Sequence, residues 1–78
     1  MAASPVVLRN NMTSPLSPRE TQVLELAAIG LTNKQAAKVL SISVETVKDF
    51  HKMAKAKLMA SSVTHAVAIC MRKKWINP

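Results

Sequence analysis

The sequence is poor in the residues on which catalysis, disulfide bonding and metal binding depend. Its 78 residues include one cysteine, one glycine, two histidines and four acidic residues. One cysteine cannot close an internal disulfide or a tetrahedral zinc site by itself, so we expect Cys70 to be a small core residue in a reducing compartment. No nucleophile is paired with a base, and no glycine-rich loop could cradle a phosphate. We therefore predict a protein that is not an enzyme and that holds no cofactor or metal.

Long apolar runs and aromatic side chains are scarce as well. No stretch approaches the roughly 20 apolar residues that span a bilayer, and the first residues lack the basic-then-apolar order of a secretory signal. One Phe, one Trp and no Tyr accompany many Ala, Val, Leu, Ile and Met residues, which favours helices over sheets. We expect a cytoplasmic protein with an all-α fold, no membrane contact and, at this length, a single domain.

Positive charge is what the sequence has in excess. Eleven Lys and Arg residues against four Asp and Glu residues give a formal net charge of +7. Such a field attracts polyanions, nucleic acids among them. Surface lysines can also serve solubility alone, so the positions of the lysines have to decide between the two interpretations.

Proline and helix-capping residues divide the chain into an arm and a domain. Residues 1–15, with Pro5 and Pro15, are predicted to form a flexible arm or linker, and residues 16–78 to fold. Ser17-Pro18-Arg19-Glu20 is typical of a helix start, and Gly30 of a helix end. The predicted helices begin after Ser17, Thr32, Ser43 and Ser62, and they end near Gly30, Leu40, Met59 and Lys73.

The second and third predicted helices are joined by only Ser41-Ile42-Ser43, and the second carries small Ala side chains. A turn of this length between two such helices is typical of a DNA-reading helix-turn-helix. At about 100° per residue, the third helix divides into two sides. The side predicted to pack inward carries Val47, Phe50, His51, Ala54 and Leu58, and the opposite side carries Glu45, Lys48, Asp49, Lys52 and Ala56.

Two lysines on the free side of the third helix are the main candidates for base contacts. Lys48 and Lys52 lie one turn apart near the start of the helix, where a major-groove helix meets base edges. An ordinary solvated face would explain them on an arbitrary helix, but the preceding turn favours DNA binding. The candidate phosphate contacts are Ser43 and Thr46 at the start of this helix, Asn33 and Lys34 at the start of the second, and Lys55 and Lys57 further along.

Several segments together resemble a known family. They are Leu16-Ser17-Pro18-Arg19-Glu20, Val23-Leu24, Gly30-Leu31-Thr32-Asn33-Lys34, Ile42-Ser43, Thr46-Val47-Lys48 and Lys57-Leu58. Over residues 16–76 the sequence resembles the LuxR-type helix-turn-helix. The resemblance implies a four-helix domain that dimerises on DNA, with Lys48, Asp49 and Lys52 at the base-reading positions and Thr46 near a phosphate.

The chain departs from the family pattern at three positions of the third helix. The family usually has His in place of Phe50, Asn in place of Met53 and Ile in place of Ala54. Asp49 either accepts a hydrogen bond from a cytosine amino group or weakens binding by repelling phosphate. His51 either packs beside Phe50 or makes a polar contact at the edge, and its helical angle favours packing.

The fourth predicted helix has more apolar residues than one buried stripe needs. Val63, Ala66, Val67 and Cys70 would cover the core, which leaves Ile69 and Met71 in surplus. Surplus apolar side chains suggest a partner surface, and the resemblance implies dimerisation through this helix. The predicted dimerisation residues are His65, Ile69, Met71 and Arg72, and Trp75 is expected to cover the core.

The leading hypothesis is a homodimeric transcriptional regulator that binds double-stranded DNA, with the third helix (44–59) in the major groove. The alternative is an interaction module that binds another regulator protein, an idea motivated by Asp49, Phe50 and Met53. A third hypothesis is a sigma-factor-like domain that reads promoters, and the predicted fourth helix, after Leu58, argues against it. We expect no small-molecule ligand in this domain, and either a stand-alone regulator or the C-terminal domain of a larger one.

Overall fold

The computed structural model describes residues 14–77, in which the chain forms four helices and no strand. They are α1 (Pro18–Ala28), α2 (Asn33–Leu40), α3 (Val44–Leu58) and α4 (Val63–Lys73). The predicted all-α fold is confirmed. The predicted arm of residues 1–15 lies outside the described residues except for its last two.

Local hydrogen bonds explain where the helices begin. At α1, the Ser17 hydroxyl accepts from the Glu20 N–H at 3.2 Å, and the Glu20 carboxylate accepts from the Ser17 N–H at 2.9 Å. Thr32 and Gln35 form the same reciprocal pair at α2, at 3.2 and 2.8 Å. These capping boxes satisfy amides that have no partner inside the helix. Both predicted starts are confirmed, and so is the Ser43 cap of α3.

A residue with a positive φ follows each of the four helices. Gly30 follows α1 with φ +94°, a conformation that costs glycine nothing. Ser41, Met59 and Lys74 adopt φ between 55° and 60° although they carry side chains. The prediction that the third helix runs to Met59 is wrong by one residue, because Met59 is left-handed and its N–H donates to the carbonyls of Ala56 and Lys55 as the C-cap.

The core consists of two clusters that share α1 and α3. The buried residues of the first, which we call the α4 cluster, are Leu24, Ala54, Ala66, Cys70 and Ile76. Those of the second, which we call the turn cluster, are Val23, Ala36, Ala37 and Val47. Because Val23 and Leu24 are adjacent on α1 and enter different clusters, α1 packs on both sides at once. Among the described helices, α1 and α3 alone contribute to both clusters, so residues of both clusters pack against α3.

The single cysteine and the single tryptophan belong to the α4 cluster. Cys70 is fully buried, and burial raises the pKa of its thiol. Trp75 packs against the same cluster, and the Nζ of Lys73 lies 5.9 Å from the centre of its ring. The predicted roles of Cys70 as a core residue and of Trp75 as a cover are confirmed. Within residues 14–77, no helix is long and apolar enough to cross a membrane.

Candidate nucleic-acid interface

The turn before α3 is tight, and it fixes where α3 begins. Leu40 ends α2, Ser41 is left-handed, and the Ile42 N–H donates back to the Ala37 carbonyl at 3.0 Å. Ile42 packs against the turn cluster, so the turn is anchored by an apolar side chain as well as by its backbone. The small side chains of Ala36 and Ala37 are buried where α2 meets this cluster, and small side chains permit a close crossing of two helices.

The two sides predicted for α3 are confirmed. Val47 and Ala54 are fully buried, and His51 is 7% exposed. The remaining inward residues, Phe50 and Leu58, are half-buried. All five residues of the opposite side are exposed: Glu45, Lys48, Asp49, Lys52 and Ala56. The helix therefore presents an outer face that no other part of the described chain covers.

The outer face of α3 has a basic flank. At about 100° per residue, Lys48, Lys52 and Lys55 fall within about 60° of one another on this helix. Lys48 and Lys52 are exposed, whereas Lys55 is half-buried. The Nζ of Lys48 lies 3.6 Å from the Glu45 carboxylate, and both side chains are largely exposed. An exposed ion pair of this kind is weak, so Lys48 can leave Glu45 and bind another anion.

The other flank of the outer face is different in chemistry. Asp49 and Met53 lie one turn apart there, about 100° around the helix from Lys48 and Lys52 respectively. Asp49 is exposed, and Met53 is 43% exposed. The face thus offers hydrogen-bond donors on one side and an acceptor with an apolar group on the other. These are the chemical types that the edges of base pairs present in the major groove.

The remaining candidates for phosphate contacts lie at two helix starts. The Ser43 hydroxyl accepts from the Thr46 N–H at 3.0 Å, and the two hydroxyls lie 2.8 Å apart. Ser43 is exposed and Thr46 half-buried. At α2, Lys34 is exposed and Asn33 half-buried in the first turn. Capping therefore occupies Ser43, while Lys34 extends into solvent.

Lys57 does not extend the basic surface, contrary to the sequence-based suggestion. It lies about 180° around α3 from Lys48, and its Nζ donates to the Glu20 carboxylate at 2.8 Å. Glu20 is 2% exposed. Burial by itself would raise the pKa of Glu20, but the hydrogen bonds from Lys57 and Ser17 outweigh it and hold that pKa below its ordinary value. The pair joins the start of α1 to the end of α3.

The buried histidine faces inward from the middle of α3. No hydrogen bond within residues 14–77 reaches the Nε2 of His51. Burial lowers the pKa of His51, the Val23 carbonyl opposes that shift, and the positive charge of Lys55 adds to it. The preference for packing over an edge contact is confirmed. Among the described residues, no group of three His, Cys, Asp or Glu side chains is placed to hold a metal ion.

Comparison with known proteins decides the family. Residues 14–70 match the family model GerE, which describes bacterial regulatory proteins of the luxR family. The chain belongs to the luxR family. This is a family of DNA-binding transcriptional regulators with a helix-turn-helix, and it is not a family of enzymes. The resemblance of this sequence to the luxR family is confirmed, and the match to the family model ends at residue 70.

Individual members of the luxR family match most of this chain. The transcriptional regulatory protein FixJ of Bradyrhizobium diazoefficiens is 37% identical over 62 residues, which make up 80% of this chain and 30% of FixJ. The HTH-type quorum sensing-dependent transcriptional regulator VjbR of Brucella ovis is 42% identical over 62 residues, 80% of this chain and 24% of VjbR. The transcriptional regulatory protein DesR of Bacillus subtilis is 37% identical over 64 residues, 82% of this chain and 32% of DesR. The chain thus corresponds to between a quarter and a third of the length of these relatives.

The departures from the luxR pattern on α3 do not all lie on the outer face. Ala54 is fully buried in the α4 cluster, and Phe50 is half-buried against the turn cluster. Met53 differs from both because 43% of it is exposed. Two of the three departures therefore change packing, and one changes the surface that α3 presents.

The residues predicted to mediate dimerisation do not all share one face of α4. His65, Ile69 and Arg72 fall within about 60° of one another, whereas Met71 lies about 120° from His65. His65 and Arg72 are exposed, and Ile69 is half-buried. Met71 is 50% exposed and lines a groove with Lys74, Ile76 and Asn77. The structure therefore brings three of the four residues together and leaves Met71 at the flank.

The ion pair between Glu20 and Lys57 is the feature of this region that sequence reasoning missed. Glu20 was assigned only to the cap of α1, which is a local role. Its partner is 37 residues away in the sequence, and no local pattern links the two. One signal in the sequence could have indicated that Glu20 is buried: the helical angle of α1 places it beside Val23 and Leu24, which are buried.

Proposed function

We propose that this chain binds duplex DNA sequence-specifically as a transcriptional regulator, with α3 in the major groove. One observation carries the proposal: α3 follows a helix-turn-helix turn, buries its inner side in both clusters and leaves Lys48 and Lys52 exposed together on its outer face. Lysines at this place on such a helix meet guanine edges or phosphates. The net charge of +7 supports association with a polyanion.

The individual roles follow from position on the helices. Lys48 and Lys52 contact base edges, and Asp49 accepts from a cytosine amino group on the neighbouring flank. The phosphate contacts are Thr46 and Ser43 at the start of α3, Asn33 and Lys34 at the start of α2, and Lys55 at the edge of the basic flank. Residues 16–78 form the DNA-binding domain, and residues 1–15 serve as an arm or linker.

We also propose that the domain acts as a homodimer through α4. Ile69 is a half-buried apolar residue flanked by the exposed His65 and Arg72, an arrangement that suits the centre of a two-fold contact. Met71 then lies at the edge of that contact. Two such domains would place their α3 helices in half-sites about one helical turn of DNA apart.

The first experiment is selection of bound duplexes from a random pool, followed by affinity measurements on the enriched sequences at several salt concentrations. We expect a two-fold symmetric motif and an affinity that falls steeply with salt, because phosphate neutralisation releases counterions. Failure to enrich any sequence, with weak binding to every duplex, would contradict sequence-specific regulation.

Variants of single lysines test the assignment of α3. Lys48→Ala and Lys52→Ala should each weaken binding to the selected site by about 1 to 3 kcal/mol if the side chain reads a base. Arg19→Ala is the matched control, since it removes one positive charge from an exposed position of α1, to which no role in DNA binding or dimerisation is assigned. Equal losses in all three variants would indicate a general charge effect, and the assignment of α3 would be wrong.

Dimerisation is tested separately by sedimentation of the DNA-bound and free protein. Ile69→Asp should shift the protein toward the monomer and weaken binding to the two-fold motif more than to a single half-site. Met71→Asp should have a smaller effect, because Met71 lies at the flank. An unchanged assembly in the Ile69 variant would show that α4 is not the interface.

Binding to another regulator protein is the second candidate function. The exposed apolar side chains of Met53 on α3 and Val39 on α2 favour it, with exposures of 43% and 60%. An apolar protein contact would change little with salt, whereas DNA binding would change steeply. The same salt titration therefore separates the two candidates.

A further inference from the structure

We propose that Met53 selects thymine in the DNA half-site by contact with the C5-methyl group of that base. This inference rests on the proposed insertion of α3 into the major groove, and it adds a residue that reads sequence. Met53 is an apolar side chain in the interior of a 15-residue helix, on the face that carries Lys48, Asp49 and Lys52.

The exposure of Met53 indicates that it contacts a group outside this domain. It is 43% exposed, and it belongs to neither cluster of the core. Ala54 and Phe50, the other two apolar departures on α3, pack against the core instead. An apolar side chain on a helical outer face gains free energy when a second apolar group removes it from water.

The chemistry of the major groove then limits what Met53 can recognise. A thioether donates no hydrogen bond and accepts only weakly, so it cannot read guanine, adenine or cytosine through their polar groups. Thymine alone among the four bases carries an apolar group in the major groove, its C5-methyl. The flexible and polarizable side chain of methionine adapts to such a contact.

The neighbours of Met53 are consistent with a base contact rather than a phosphate contact. Asp49 lies one turn before it on the same flank, and a carboxylate is repelled by the DNA backbone. Lys48 and Lys52 form the opposite flank, where phosphates or guanine edges are favourable partners. In the proposed complex, the flank of Asp49 and Met53 therefore faces the base edges in the groove, and the flank of Lys48 and Lys52 lies beside it.

The test uses the full chain and the duplex that it selects. Each thymine of the half-site is replaced in turn by deoxyuridine, which pairs in the same way but lacks the methyl group. We expect one replacement to weaken wild-type binding about four-fold, the equivalent of ~0.8 kcal/mol for one buried methyl group. The Met53→Ala variant should bind the thymine and deoxyuridine duplexes with equal affinity.

A matched variant controls for the loss of a methionine as such. Met59 is 88% exposed at the C-cap of α3, so Met59→Ala should keep the full four-fold response to deoxyuridine. Helical circular dichroism confirms that both variants fold. Selection with Met53→Ala should return the same motif with a relaxed preference at the one thymine position.

The outcomes separate this inference from the proposed function. If wild-type protein enriches no motif, the proposed DNA recognition fails and the inference fails with it. If a motif with steep salt dependence is enriched but no deoxyuridine replacement distinguishes wild type from Met53→Ala, the function stands and the reading of thymine by Met53 is overturned. A motif without thymine in the half-site overturns it equally.

Discussion

The two clusters of the core differ in the size of their buried side chains and in what they support. The buried residues of the turn cluster are Val and Ala alone, with half-buried side chains such as Ile42 and Phe50 packed against them, and the cluster holds α2 and the tight turn against α1 and α3. The α4 cluster buries a leucine, a cysteine and an isoleucine as well, with Trp75 packed against it. The small buried side chains permit a close crossing of α2 and α3 beside the turn, while leucine, cysteine and isoleucine fill the space between α1, α3 and α4. The two sides of α3 are thus supported by different packing.

Leu24→Ala is the substitution with the largest expected effect on this division. Leu24 is fully buried in the α4 cluster, and its truncation should lower the free energy of unfolding by about 2 to 5 kcal/mol. Urea denaturation followed by Trp75 fluorescence and by circular dichroism measures the loss. Because α1 and α3 belong to both clusters, the two signals should change together. Separate transitions would show that the two clusters unfold independently.

Lys57→Met should produce the next largest effect. Removing Lys57 leaves the buried Glu20 carboxylate without its cationic partner, which should cost about 1 to 3 kcal/mol of stability at neutral pH. Urea denaturation provides the measurement. The control is Lys48→Met, since the pair of Lys48 with Glu45 is exposed at both ends and its removal should change stability very little. Similar losses in the two variants would contradict the special role of the buried pair.

His51 lies on the inner side of α3, between Val47 of the turn cluster and Ala54 of the α4 cluster. Burial lowers the pKa of His51 below its ordinary value of 6.5. The unfolded chain therefore binds the proton more tightly than the folded one. The contribution of neutral His51 to the free energy of unfolding is fully present above pH 6.5, and it is lost as the pH falls from there toward the lower pKa of the folded state.

Urea midpoints measured between pH 8 and 5 check this expectation with matched variants. The wild type and His65→Gln, which alters the exposed histidine of α4, should both lose stability toward acid. His51→Leu should show a flatter profile in this range. The lowered pKa of Glu20 contributes at more acidic pH, below 4.5. A slope that disappears in the His65 variant and persists in the His51 variant would contradict the assignment.

Met59→Gly is expected to have the smallest effect, outside both clusters. Met59 is left-handed with φ 55° and 88% exposed, so glycine would relieve backbone strain without loss of packing. We expect a gain of about 0.5 to 1 kcal/mol, after the greater chain entropy of glycine is subtracted. Ala56→Gly, in the exposed part of α3, should instead lose about 0.5 to 1 kcal/mol. Thermal denaturation compares the two signs directly.

Prediction from sequence succeeded where the physics is local. The starts of α1, α2 and α3 follow from side chains that bond amides three residues away, as at Ser17 and Thr32. The inner and outer sides of α3 follow from helical periodicity, which also predicted the burial of His51. The outer-face residues Lys48 and Lys52 could be chosen in the same way, although their contact with DNA stays a prediction.

Prediction was weaker where the reason lies elsewhere in the chain. Ser41 and Met59 are left-handed although neither is a glycine, and the residue after each of them, Ile42 and Ala60, packs against a cluster of the core. The assignment of Lys57 to a basic surface was wrong because its partner comes from another helix.

The sequence by itself determined the all-α class, the four helices, their N-caps and the face of α3 that remains outside. These features depend on interactions between residues about four positions apart or fewer, which do not require contact with distant parts of the chain. Only the tertiary structure decided that Glu20 is buried and paired with Lys57, that α1 divides its side chains between two clusters, and that Met53 alone among three departures is exposed. Those outcomes depend on which helices meet, and packing between distant segments sets that by filling space and excluding water.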